Sequence, residues 1–159
     1  MGKLDGKVAI ITGSGDGIGR AVAIAFAREG TRVVINSRTR TKVDVVVREI
    51  IDMGAEAIGV TGDISQVDDT ENIVANAVDR WGSVDVLVNN AAVVGPVAPI
   101  GKDNPLDWWQ TLEINVYGTY LMTRAVASKM GSGGGGKSKS NGFGSSRKNG
   151  LYCPGTRIC

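Results

Sequence analysis

The sequence predicts an α/β domain built on a parallel β-sheet that is covered by helices on both faces. Three observations carry this expectation. Strand-like and helix-like segments alternate strictly up to about residue 130, the strands are near-continuous apolar runs, and a glycine-rich turn joins the first strand to the first helix. A strand with water on one face would alternate polar and apolar residues, so continuous apolar runs mean burial on both sides.

The elements are taken in chain order. Val8 to Thr12 reads as the first strand, and Thr12-Gly13-Ser14-Gly15-Asp16-Gly17-Ile18-Gly19 as the turn that leads into a helix from Ile18 to Arg28, stopped at Gly30. Arg32 to Asn36 makes the second strand. Val43, Val46, Val47, Ile50 and Ile51 then recur at helical spacing, and Gly54 ends that helix. Ala55 to Thr61 is the third strand. A helix over Val67 to Trp81, with Ile73, Val74, Ala77 and Val78 apolar, closes at Gly82 before a fourth strand at Val84 to Val88. A longer helix runs from Leu106 or Asp107 to about Lys129. Right-handed crossovers put these strands in the order 3-2-1-4, a Rossmann-type doubly wound sheet that lacks its later strands.

The 159 residues, 42% hydrophobic and 21% charged, suffice for one domain with a real core. The net charge of +2 hides an asymmetry: from Gly131 onward there are five basic residues and no acid, which leaves residues 1–130 with 13 basic against 16 acidic side chains. The domain is therefore placed at residues 1–130, and residues 131–159 read as a Gly/Ser/Lys-rich tail without periodicity, expected to be disordered. No histidine occurs, and the two cysteines, Cys153 and Cys159, lack metal-ligand companions, so no metal site is expected. With no signal-like leader and no apolar run near the ~20 residues of a membrane helix, the expectation is a cytoplasmic protein without membrane contact.

The glycine turn carries the first functional reading. A Cβ would hold the backbone away from a pyrophosphate, and the helix behind the turn offers free N–H groups and a partial positive charge. Gly13, Ser14, Gly17, Ile18 and Gly19 are thus candidate phosphate-binding residues in the strand-turn-helix context that such a site requires.

Four features together make residues 5 to 130 resemble the short-chain dehydrogenase/reductase family. Thr12-Gly13 through Gly17-Ile18-Gly19 is similar to its Thr-Gly-x-x-x-Gly-Ile-Gly turn, and Gly62-Asp63-Ile64 follows strand three. Asn89-Asn90-Ala91-Ala92 follows strand four and resembles Asn-Asn-Ala-Gly, with Ala92 in place of the glycine; Asn115 lies in the long helix within Glu113-Ile114-Asn115-Val116. The resemblance implies an oxidoreductase that moves a hydride between a nicotinamide cofactor and a carbonyl or alcohol of a small-molecule substrate. It implies that Asp63 and the Ile64 amide hold the adenine, that Asn90 touches a ribose or else braces neighbouring strands, and that Asn115 is the first member of an Asn-Ser-Tyr-Lys catalytic set.

Cofactor choice is argued from the end of strand two. An acid there accepts hydrogen bonds from a ribose 2′-OH and repels a 2′-phosphate, whereas this chain has Ser37-Arg38, a hydroxyl and a guanidinium fork suited to phosphate. NADP is favoured and NAD is the alternative. Asp16 argues the other way, since it stands where many NADP-using relatives have a basic residue.

The rest of the family's set is missing. The sequence contains no Tyr-x-x-x-Lys, and Tyr120 with Arg124 is an i, i+4 helix pair that lies too early in the chain. The strand that would carry the serine is replaced by the Gly/Ser/Lys tail. A reading-frame slip or alternative splice near Gly133 to Lys139 would account for this, because allowed codons from Asn141 onward can spell a serine-bearing strand in the adjacent frame. The expectation is a fragment that binds cofactor at most, with strand four left as an apolar edge and Trp108, Trp109, Tyr117 and Tyr120 partly uncovered. The alternative is a non-catalytic NADP-binding regulator that co-assembles with a full-length relative through the long helix. A nucleic-acid-binding tail is disfavoured, because its charges are sparse and only Phe143 and Tyr152 could stack on bases.

Overall fold

The computed structural model describes residues 2 and 4–130, together with the backbone of residues 157–158. Its elements are β1 (Val8–Ile11), α1 (Gly17–Arg28), β2 (Arg32–Ser37), α2 (Arg40–Asp52), β3 (Ala57–Thr61), α3 (Val67–Trp81), β4 (Val86–Val88), α4 (Pro105–Leu112), a π-helical turn (Glu113–Gly118), α5 (Thr119–Ala127) and β5 (Arg157–Ile158). All strand pairs are parallel, in the order β3-β2-β1-β4-β5. The 3-2-1-4 core of this order is the one that right-handed crossovers require.

Side-chain alternation along β1 explains the two-faced core. Val8 and Ile10 point into a cluster with Val34, Ile73, Leu87, Met122 and Val126, which α3 and α5 cover. Ala9 and Ile11 point the other way, into a cluster with Val33, Ile35, Val43, Val46 and Ile50, which α1 and α2 cover. Each large aliphatic side chain buried this way contributes about 1.5–3 kcal/mol of transfer free energy, which makes the continuous apolar strands the main source of stability. In α2 the stripe is narrower than its spacing implies: Val43, Val46 and Ile50 are buried while Ile51 faces solvent.

The sequence reading is corrected in two places. The long helix runs without a gap from Pro105 to Ala127 but is not regular, because its i→i−4 ladder widens into the π-helical turn between α4 and α5. The fourth strand is not wholly an open edge: Val86 pairs with Arg157 and Leu87 with Ile158, and Val84 makes a bridge with Met130. No local apolar pattern marks β5, a two-residue strand inside the segment read as tail. The expected disorder of the remaining tail, the proposed frame slip, Phe143, Tyr152 and both cysteines lie outside the described residues. Trp108, Trp109, Tyr117 and Tyr120 are each about half exposed, as the sequence reading expects. Among the described residues no helix is long and apolar enough to cross a membrane.

Candidate nucleotide-binding site

At the C-terminal ends of β1, β2, β3 and β4 lies an open cleft of about 370 Å³. Parallel order explains its position: β1 sends its connection to one side and β4 lies on its other side, so the loops diverge and leave a crevice at that switch point. Gly13, Gly17, Ile18, Gly19, Ser37, Arg38, Asp63, Ile64 and Asn90 all line this one cleft, although they are spread over 78 positions of sequence.

The glycine turn is shaped by both conformation and space. Gly17 has φ +53°, a region that side chains disfavour, and nothing stands within 4 Å of where its Cβ would be. A Cβ on Gly19 would lie 2.5 Å from both Asn90 Nδ2 and the Gly13 carbonyl, so α1 reaches its position only because that residue is a glycine. The first-turn N–H groups of α1 have no intrahelical acceptor, and Asp16, at the cap position, makes no side-chain capping bond. The N-terminal end of α1 is thus open toward the cleft, with its partial positive charge uncompensated by a cap.

Ser14 is withdrawn from the expected phosphate-binding set. Its side chain is fully buried, its Oγ donates to Ile11 O at 2.7 Å and accepts from the Asn36 N–H at 3.0 Å, and its own N–H donates to Asn36 O at 2.8 Å. Every polar group that could reach a ligand, the carbonyl apart, is spent on tying β1 to β2. The serine is therefore part of the frame that holds the turn.

Asn90 is mainly a brace. Its Nδ2 donates to Thr12 O at 2.9 Å and to Gly13 O at 3.1 Å, which fixes the exit of β4 against the exit of β1. Thr12, which sequence reasoning missed, is the hub of this join. Its buried Oγ1 accepts from the N–H groups of Asn90 at 3.0 Å and Ala91 at 3.1 Å, and donates to Val88 O at 3.4 Å. Asn36 was also missed; it is 1% exposed, and its Nδ2 donates to Val60 O and Gly62 O, holding the ends of β2 and β3 together. The signal for it was available, since an amide inside an otherwise apolar strand must find partners when buried.

The second end of the cleft is ionic. Arg38 Nη1 lies 3.8 Å from Asp63 Oδ2, and Asp63 Oδ1 accepts from both the N–H and the Oγ of Ser65, at 2.9 and 2.8 Å. Lys42, on the first turn of α2, pairs with Asp16. Two cations and two carboxylates therefore ring this end, with Ser37 and Thr39 between them.

Asn115 does not line the cleft. It sits in the π-helical turn, where its Oδ1 accepts from the Val93 N–H and its Nδ2 donates to Val93 O, both at 2.9 Å. Val93 and Ile114 do line the cleft, so Asn115 fixes the loop after β4 from behind. A wide turn of this kind is often found at functional sites, where it re-aims a side chain that a regular helix would point elsewhere.

With this geometry in place, comparison with known proteins decides the family. The family model for short chain dehydrogenase matches residues 7–138. The chain belongs to the short chain dehydrogenase family. It is similar to a sorbitol dehydrogenase of Cereibacter sphaeroides, 43% identical over 136 residues that are 85% of this chain and 52% of the relative. It is 36% identical over 131 residues to a 3-oxoacyl-[acyl-carrier-protein] reductase of Synechocystis, with 82% of this chain and 53% of the relative covered. Among solved structures, a metagenomic short-chain oxidoreductase in complex with NADP superposes with a TM-score of 0.75 at 36% identity, over 79% of this chain and 57% of that one. The chain thus spans about half the length of the curated relatives it matches.

Proposed function

We propose that the cleft binds a nicotinamide dinucleotide, NADP in preference to NAD, and that the chain is the cofactor-binding part of an oxidoreductase acting on a carbonyl or alcohol. The observation that carries this reading is the convergence, on one open cleft, of an uncapped glycine-turn helix with the Ser37-Arg38 pair at the end of β2. The residues present fit such a ligand: the turn has the space that a Cβ would close, and the cleft is lined by polar groups such as Ser37, Arg38 and Asn90 together with apolar ones such as Ile18 and Ile64. The likeness to a solved relative carrying NADP supports the phosphate-bearing form.

The roles are assigned by position. The first-turn N–H groups of Gly17, Ile18 and Gly19, with the turn at Gly13, receive the pyrophosphate. Ser37 and Arg38 receive the 2′-phosphate, whose bidentate match to a guanidinium an NAD ribose lacks. Asp63 and Ile64 flank the adenine, with Asn90 holding the floor beneath the ribose. Asn115 is a positioning residue, acting on the site through Val93. When bound, the cofactor supplies or accepts the hydride.

A phenol of ordinary pKa ~10 is a poor acid or base at neutral pH unless a positive neighbour lowers it, and these 159 residues carry no Tyr-x-x-x-Lys pair for that purpose. We therefore read the chain as binding cofactor without turning over substrate by itself, in the cytoplasm. A thermal-shift titration tests this, because a ligand that binds only the folded state raises stability by about 2.7 kcal/mol at a hundred times its Kd. NADP is expected to raise Tm at lower concentration than NAD, with no NADPH consumption on carbonyl substrates. A Tm unmoved by either cofactor would refute the binding reading, and steady turnover would refute the inactivity.

A second reading has its own observation. Trp109, Leu112, Val116 and Tyr120 are apolar, exposed and spaced along one side of α4, the π-helical turn and α5. This surface favours co-assembly with a full-length relative, in which the chain serves as a non-catalytic regulator. Co-purification with an intact relative, lost on Tyr120→Glu, is the expected result.

A further inference from the structure

Asp16 occupies the cap position of α1 with an extended backbone, φ −159°, yet its carboxylate does not cap the helix. An aspartate at that position ordinarily accepts an N–H from the first turn. Here its Oδ2 instead meets Lys42 Nζ at 2.5 Å, 26 residues away on α2. The close approach is built into the turn: a Cβ on Gly15 would stand 2.9 Å from Ser37 Cβ and 3.0 Å from Lys42 Cβ, so α2 and the end of β2 pack directly on the glycine loop. Asp16, Ser37, Arg38, Thr39 and Lys42 all face the same cleft. Thr39, the cap residue of α2, makes no capping bond either, which leaves a second open helix start at this end of the cleft.

We propose that Lys42 selects the phosphate-bearing cofactor by supplying, from α2, a cation that contacts the 2′-phosphate, while in the unliganded chain Asp16 pairs with that cation and is itself held off the N-terminus of α1. The inference rests on the reading that this cleft takes NADP. It resolves the conflict within the sequence, where Asp16 argues for NAD and Arg38 for NADP: the carboxylate is neutralised by its partner and directed away from the pyrophosphate position. Lys42 is about half exposed and Asp16 about two-thirds exposed, so the pair can open to admit a ligand without loss of core packing. An incoming phosphate then competes with Asp16 for Lys42 and adds to the pull of Arg38.

The experiment measures Kd for NADP, NAD, adenosine 2′,5′-bisphosphate and ADP by calorimetry on the full chain and on Lys42→Met, Lys42→Arg and Asp16→Asn. Unliganded Tm is checked in each. Loss of a charged contact worth roughly 1.5–3 kcal/mol corresponds to about a 10- to 150-fold change. Lys42→Met is expected to weaken NADP and the 2′,5′-bisphosphate at least tenfold while NAD and ADP change less than about threefold, and Lys42→Arg restores most of the difference. Asp16→Asn is expected to tighten NADP several-fold by freeing Lys42. If wild type prefers NADP but Lys42→Met leaves that preference intact, the inference fails and the cofactor reading stands. If Lys42→Met weakens all four ligands equally, Lys42 acts only by restraining Asp16, and the phosphate contact is wrong. A wild type that prefers NAD or binds neither overturns the cofactor reading and this inference with it.

Discussion

The sheet face under α1 and α2 and the stretch from Val94 to Tyr120 use apolar residues in opposite ways. Under α1 and α2, Val33, Ile35, Val43, Val46 and Ile50 are all fully buried, and the loops above them are tied by buried hydrogen bonds through Ser14 and Asn36. From Val94 to Tyr120, Val97 is 93% exposed, and Trp108, Trp109, Leu112, Val116 and Tyr120 all present apolar surface to solvent. A similar contrast holds for polar groups. Among the described residues no donor reaches the buried Oδ1 of Asn89 at the end of β4, while the amide of Asn36 makes two bonds. The first region is closed over by its helices; the second, among the described residues, presents its apolar side chains to solvent as a contact surface would.

The largest expected effect comes from emptying the closed side. Ile35→Ala removes a fully buried side chain between β2 and the helices above it, and the expected loss is about 2–5 kcal/mol, read from urea denaturation. Trp109→Ala removes a larger side chain from the open side, where stability should move by no more than ~0.5 kcal/mol while self-association falls. Equal losses would break the comparison, because they would show that Trp109 is packed in solution. Measuring both variants by light scattering as well as by denaturation separates exposure from hidden burial.

Next in size are two changes at the junction of β1 and β4, where the closed side meets the open one. Gly19→Ala places a Cβ 2.5 Å from Asn90 Nδ2 and from the backbone oxygen of Gly13, so α1 must shift. The expected cost is about 1–3 kcal/mol, with the NADP thermal shift abolished because the helix start no longer meets the ligand. Thr12→Val keeps the shape but leaves the N–H groups of Asn90 and Ala91 without their acceptor, a loss of about 1–3 kcal/mol. If cofactor binding survives Thr12→Val while stability falls, the threonine is a brace and not a ligand contact.

The parts of this molecule that local patterns encode were legible in its sequence. Continuous apolar strands, helical spacing in α3 and glycine stops recover β1 to β4 and their order, since each is dictated by side-chain periodicity and crossover hand. The parts that were not legible depend on distant pairing. Ser14 resembles its neighbours in the glycine turn, and only the approach of Asn36 on β2 reveals that its hydroxyl is consumed. Lys42 reads as one charge in a basic run until the packing of α2 on Gly15 sets it against Asp16. The π-helical turn at Asn115 was not legible, because one extra residue only shifts the phase of the apolar spacing, and too few buried positions flank it, Ile114 before and Leu121, Met122 and Val126 after, for the shift to stand out.

The smallest expected effect lies at the opposite end of the sheet from the cleft, where an exposed polar cluster joins the starts of β2 and β3 to the end of α3. The Glu56 carboxyl is held below its ordinary value of 4.5 chiefly by the indole N–H of Trp81; burial opposes this, and Arg32 and Arg80 add to the lowering. Trp81 Nε1 donates to Glu56 Oε2 at 3.3 Å and Arg32 Nε to Oε1 at 3.1 Å. A carboxyl whose folded pKa is depressed stabilises the protein fully above its unfolded pKa and loses that contribution as pH falls through the folded value. Glu56→Gln should therefore lower Tm slightly at neutral pH, with the difference from wild type vanishing as pH drops below about 4.5. Solvent screens the pair, so the change stays within the ~0.5 kcal/mol of ordinary surface substitutions. A large neutral-pH loss would mean that the Trp81 contact anchors α3 to the start of β3, on the sheet face opposite α1 and α2.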